Sequence, residues 1–125
     1  DIIDVIADTE NALSLNAINI YGGDGDDRVN VDSMLLAPDG VYLLTGGAGK
    51  DSIKVTGVNA NYDDFRIEGG SGDDSIFGGM CDDRIYGDTG FVVILAYGGN
   101  DEIHGGDEVA AIYVDVNGDI QYNST

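Results

Sequence analysis

Carboxylates recur along this chain in the company of glycine, at a fixed spacing. Gly22-Gly23-Asp24-Gly25-Asp26-Asp27-Arg28-Val29-Asn30 sets a nine-residue pattern: glycine, glycine, any residue, glycine, any residue, aspartate, any residue, a large aliphatic, any residue. It returns from Gly46 to Lys54, with Asp51 and Ile53 at the fixed side-chain positions, and from Gly69 to Phe77, with Asp74 and Ile76. Gly78 to Tyr86 follows at once with Asp83 and Ile85, and Cys81 is its one departure from the glycines. Weaker copies run through Gly87-Asp88-Thr89-Gly90 and Gly98-Gly99-Asn100-Asp101.

The chemistry of such a unit is that of a hard cation. Glycine admits positive φ and lets neighbouring turns approach closely, so a tight turn can aim its backbone carbonyls inward while the aspartate adds a carboxylate. Calcium takes six to eight oxygen ligands at about 2.3–2.6 Å. One turn cannot supply that many. Two turns stacked about 4.8 Å apart, as neighbouring strands are, can sandwich one ion. The residues after the aspartate form a short strand whose single aliphatic faces a core, so the turn binds metal and the strand builds the interior.

The elements that hold these turns follow from their intervals. Turns starting at Gly22, Gly46, Gly69, Gly87 and Gly105 form one edge of a coil, at intervals of 24, 23, 18 and 18. The second edge takes Asp8–Asn11, Ala37-Pro38-Asp39-Gly40, Asn59–Asp64, Gly78, Gly98 and Val116–Asp119. Between them lie strand candidates at 28–32, 52–56, 75–77, 91–96 and 109–115 on one side, and at 17–21, 41–45, 65–68, 84–86, 102–104 and 119–122 on the other. They alternate inward aliphatic with outward polar, as in Arg28-Val29-Asn30-Val31-Asp32. The expected fold is all-β, a parallel β-roll or flattened β-helix of about five to six coils, roughly 25–30 Å long. The 125 residues read as one domain over 1–125, and strand-like sequence from the first residue reads as a segment of a longer chain.

Twenty-four acids against five bases leave a net charge of −19, which argues against nucleic acid or an anionic membrane surface as partner. No stretch resembles a membrane span, and Phe91–Tyr97 is far too short for one. The chain reads as self-repelling without cations and compact with them, each calcium cancelling two negative charges. With one cysteine there is no intrachain disulfide, and metal would do the stapling.

These repeats resemble the hemolysin-type calcium-binding (RTX) family over Gly22–Val31, Gly46–Val55 and Gly69–Tyr86, with degenerate copies over 87–106. The resemblance implies a right-handed parallel β-roll that folds on several Ca2+ ions in a secreted or cell-surface protein. It implies metal ligation by the motif acids Asp27, Asp51, Asp74 and Asp83, with Asp101 as a fifth. Their neighbours Asp24, Asp26, Asp73 and Asp82, and the turn residues Gly23, Gly25, Gly47, Gly49, Gly70, Gly72 and Gly79, complete the candidate set. Three departures stand out. The first two coils are long, Val92 stands where the Gly87 turn should carry its aspartate, and the Gly98 turn reads as two residues short.

Competing readings are weaker. Gly46–Lys50 fails the phosphate-loop pattern at Leu44 and Asp51. Asp115–Asp119 opens like an EF-hand loop, but Ile120 stands where glycine is needed. His104 reads as a turn-flanking surface residue and Cys81 as a small buried one. Asn123-Ser124-Thr125 fits an N-glycosylation pattern that arises easily by chance. A calcium-dependent β-helix polysaccharide lyase would need one of Arg28, Lys50, Lys54, Arg66 or Arg84 as its base, and the short connections leave little to line a substrate pocket. The expectation is a non-enzymatic calcium-folded module, a secretion and folding spacer in a larger toxin, adhesin or exoenzyme. The alternative is a protomer of a calcium-dependent filament or surface layer. Its partners would be calcium and either other copies of itself or flanking domains, with no nucleic acid and no membrane insertion.

Overall fold

Alternation of period two dictates the elements. In β3 (Arg28–Asp32) Val29 and Val31 are buried while Arg28 is exposed, and in β5 (Ser52–Thr56) Ile53 and Val55 are buried while Lys54 and Thr56 face out. The computed structural model describes residues 1–5, 15–32, 36–56, 65–107, 111–113 and 121–123. Among these residues there are twelve strands and no helix.

One sheet runs β1 (Ile2–Val5), β3, β5, β7 (Ser75–Gly79), β9 (Val93–Tyr97), β11 (Ala111–Tyr113). The other runs β2 (Leu15–Asp24), β4 (Leu36–Ala48), β6 (Phe65–Ser71), β8 (Arg84–Tyr86), β10 (Glu102–His104), β12 (Gln121–Asn123). Every pairing is parallel, and the chain passes from one sheet to the other at each step. This is the coil expected from the spacing: a parallel β-roll with six strands per sheet.

The interior is built of columns. Ile53, Ile76 and Ile94 pair in register on one sheet, and Ile67, Ile85 and Ile103 on the other, all fully buried. Burial of one such side chain contributes about 1.5–3 kcal/mol. Tyr42 and Phe65 add a ring pair, centroids 5.2 Å apart, in adjacent coils of the second sheet.

Strands 28–32, 52–56, 84–86 and 102–104 fall where the sequence puts them. Others differ. The segment Ala37–Gly40 does not form a turn between strands; it lies inside β4. Leu15 pairs with Leu36 and Ala17 with Val41, so four residues of β4 oppose the single Asn16, and Pro38 is accommodated in that bulge. The strand expected from Phe91 begins at Val93, because Phe91 and Val92 still belong to the preceding turn. The candidate turns at 8–11, 59–64 and 116–119 lie outside the described residues.

Candidate metal centres

Each motif aspartate sits at the mouth of a strand, one residue before it, with its side chain on the inward face. Asp27, Asp51 and Asp74 precede β3, β5 and β7 on the first edge; Asp83 and Asp101 precede β8 and β10 on the second. All five are buried, with 1–4% of their surface exposed. Left-handed glycines make the turns. Gly47 (φ 116°) and Gly49 (φ 137°) lie against the Gly23 and Gly25 carbonyls of the coil before, so a Cβ at either would collide with backbone.

The acids are linked coil to coil. The Asp27 N–H donates to Asp51 Oδ1 at 2.9 Å, the Asp51 N–H to Asp74 Oδ1 at 2.9 Å, and the Asp83 N–H to Asp101 Oδ1 at 2.9 Å. The Asp1 amino group donates to Asp27 Oδ1. One oxygen of Asp27, Asp51, Asp74 and Asp101 is thereby used. The other, Oδ2 of Asp27, Asp51, Asp74 and Asp101, is buried without a hydrogen-bond partner. A buried anionic oxygen left this way carries a desolvation penalty that a cation would relieve.

The first glycine of each motif, absent from the candidate set, is what makes room for that oxygen. A Cβ on Gly22 would lie 2.7 Å from Asp27 Oδ2 and 2.5 Å from the Gly46 carbonyl oxygen. The same pair of oxygens recurs at Gly46 with Asp51 and Gly69, at Gly69 with Asp74 and Gly87, and at Gly78 with Asp83 and Ala96. Four turns therefore bring a carboxylate oxygen and a carbonyl of the next coil close together, a hard-oxygen pair of the kind a calcium ion accepts. At Gly87 the place of the carboxylate is taken by a Val92 methyl, 3.1 Å from the same point. In the Asp101 turn the residue in the glycine's place is Ala96, fully buried.

Burial governs the electrostatics. It pushes Asp74 and Asp101 up to about 6, against the weaker opposing effect of a backbone hydrogen bond, and it raises Asp51, with Asp27 and Asp26 adding repulsion. Among the described residues no three His, Cys, Asp or Glu side chains converge as a ready-made metal cage. Any shell here is one carboxylate per turn plus carbonyls.

The remaining candidates are placed differently. Asp24, Asp26, Asp73 and Asp82 are exposed. Asp26 Oδ1 accepts the Lys50 N–H at 2.8 Å, Asp73 Oδ1 the Phe91 N–H at 3.1 Å and Asp82 Oδ1 the Asn100 N–H at 2.7 Å, so this outer row ties successive turns together. Gly23, Gly25, Gly47, Gly49, Gly70, Gly72 and Gly79 all have positive φ.

The Gly98 turn is not short. Gly79 pairs with Tyr97, so the turn starts at Ala96 and has full length, with Tyr97 in the left-handed place of the second glycine at φ 66°. Asp88 does the same in the Gly87 turn at φ 63°. Sequence reasoning also missed a ladder on the outer face of the second sheet. The Arg66 guanidinium lies 4.6 Å from the Tyr86 ring centroid, and Tyr86 stacks on His104 at 4.6 Å with planes 1° apart. His104 in turn meets Glu102 at 2.7 Å.

The family model of the RTX calcium-binding nonapeptide repeat matches this chain in four copies, over residues 19–33, 66–91 and 82–108. The Gly46 turn lies outside those matches, yet it has the same buried acid, left-handed glycines and coil-to-coil hydrogen bonds. No curated protein and no solved structure gives a significant match to the chain.

Proposed function

Since its nonapeptides are RTX calcium-binding repeats, which bind Ca2+ at several sites, we propose that this chain is a non-catalytic β-roll module folded by calcium. The ligands are the Oδ2 atoms of Asp27, Asp51, Asp74 and Asp83, with Asp101, together with carbonyls of the flanking turns. The observation that carries the reading is the row of buried carboxylates in which Oδ2 of Asp27, Asp51, Asp74 and Asp101 has no hydrogen-bond partner.

Calcium supplies positive charge and a demand for many oxygens. The chain supplies the rest. Its glycines let carbonyls and carboxylate approach, its strands hold the turns one coil apart, and its isoleucine columns bury the surface that the turns leave behind. These oxygens come together in the stacked state alone, so binding energy becomes folding energy. With one carboxylate per turn the ligand charge is low, which sets affinity in the range of extracellular modules, about 10⁻⁴–10⁻³ M. That range supports a module that stays unfolded at cytosolic calcium and folds outside the cell, as a spacer within a larger secreted chain.

Circular dichroism tests this directly. In chelator at neutral pH the chain shows little β structure; calcium at about millimolar concentration restores it, and equal magnesium does not, because magnesium demands shorter bonds and octahedral geometry. A chain fully folded in excess chelator overturns the proposal.

A further inference from the structure

We infer that calcium orders this roll as two halves, through a ligand row that changes edges at β7. The inference rests on the calcium reading above and adds to it where the ions act and what they hold.

The first edge carries acids in the early coils and stops. Asp27, Asp51 and Asp74 form a continuous chain of N–H to carboxylate hydrogen bonds. At the next coil the slot holds Val92, fully buried, and the Asp74 N–H turns instead to the Phe91 carbonyl at 3.1 Å. The second edge is the mirror case. Its slot one residue before the paired Arg66 and Arg84 is Phe65 in one coil and Asp83 in the next. Phe65 pairs with Tyr42 of the coil before, and both are buried apolar rings in contact. From Asp83 the row begins, and the Asp83 N–H donates to Asp101. Among the described residues, therefore, the early coils offer buried carboxylates on one edge, the later coils on the other, and the opposite edge is plugged by apolar side chains. β7 is bordered at both ends, by Asp74 before it and Asp83 after it.

In a repeat architecture each coil interacts with its neighbours, so stability is a sum of local terms. An ion lost from the first edge removes charge neutralisation from coils whose other edge has none. The later coils keep their own row. Calcium affinity in each half then depends on the acids of that half.

Hydrogen–deuterium exchange through a calcium titration tests this on the full chain, comparing wild type, Asp51→Asn and Asp101→Asn. Asp51→Asn is expected to raise the calcium midpoint for protection of β3 and β5 about tenfold, equivalent to about 1.4 kcal/mol, and to leave β8 and β10 within about twofold. Asp101→Asn is expected to do the reverse. Equal shifts in both halves, or loss of all protection in either variant, overturn the two-half arrangement while leaving calcium-driven folding standing. A wild type whose exchange ignores calcium removes the underlying reading as well.

Discussion

Replacing Asp74 by asparagine should move stability in opposite directions with and without calcium. The carboxylate is 1% exposed, its Oδ1 accepts the Asp51 N–H at 2.9 Å, and its Oδ2 has no partner. Burial raises its pKa from 3.8 to about 6. A shift of about 2 units corresponds to about 3 kcal/mol between the two protonation states. The folded state holds a proton that the unfolded state has released between those values, so the metal-free roll gains stability as pH falls through 6 and the gain is complete below about 4. At pH 7 the ionised group costs the metal-free fold about 3 kcal/mol, a factor of about 100 in the folded population. Asparagine keeps the acceptor oxygen, removes the charge and loses no partner at the second position. In chelator at pH 7, Asp74→Asn should therefore show more β signal by circular dichroism than wild type, and wild type should recover signal on acidification to about pH 4.5. In calcium the order reverses, because the variant has lost an anionic ligand and needs more calcium to fold. A variant less folded than wild type in chelator would refute the argument that an unmatched carboxylate opposes the metal-free fold.

Four other outcomes follow from the same geometry. Gly46→Ala puts a methyl 2.5 Å from the Gly69 carbonyl oxygen and against Asp51 Oδ2; the calcium midpoint should rise at least tenfold, and an unchanged titration would contradict the crowding. Val92→Asp restores an acid beside Gly87 and the Gly105 carbonyl; calorimetry should count one more calcium, with lower stability in chelator. A double-mutant cycle between Tyr86 and His104, stacked at 4.6 Å, should give a coupling of about 0.5–1.5 kcal/mol in the calcium-loaded state, measured by urea unfolding. Ile76→Ala, at a fully buried position between Ile53 and Ile94, should cost about 2–5 kcal/mol by the same measurement.

The sequence discloses the first edge well because its glycines recur for plain steric reasons: at Gly47 and Gly49, for example, a side chain would strike the coil before. It discloses β3, β5, β8 and β10 because polar and aliphatic residues alternate without interruption. It hides the Ala96 turn. Nothing in tyrosine suggests a left-handed backbone, a conformation that costs a residue of its kind about 1–3 kcal/mol. Tyr97 adopts it because the hydrogen-bonded register opposite Gly79 demands that turn. It hides the fate of Pro38 for a similar reason, since pairing on either side absorbs the extra residues as a bulge. Phe65 stands eighteen residues before Asp83, in the same slot, but nothing in phenylalanine marks it as the counterpart of a metal-binding acid until the register is known. The inward pairing of the first motif glycine with the acid five residues on emerges when the carboxylate's direction is known.

Fully buried isoleucine stands at matched positions in coil after coil, Ile53 on Ile76 on Ile94 and Ile67 on Ile85 on Ile103. Each coil thus offers its successor the surface it received from its predecessor. Deletion of one whole eighteen-residue unit, such as Asp83 to Asn100, would bring Ile67 onto Ile103 and Ile76 onto Ile112, so both columns continue unbroken. Length is then a variable that heredity can adjust in whole coils without redesigning an interior, whereas a gain or loss of a few residues within a strand would shift its aliphatics off the column.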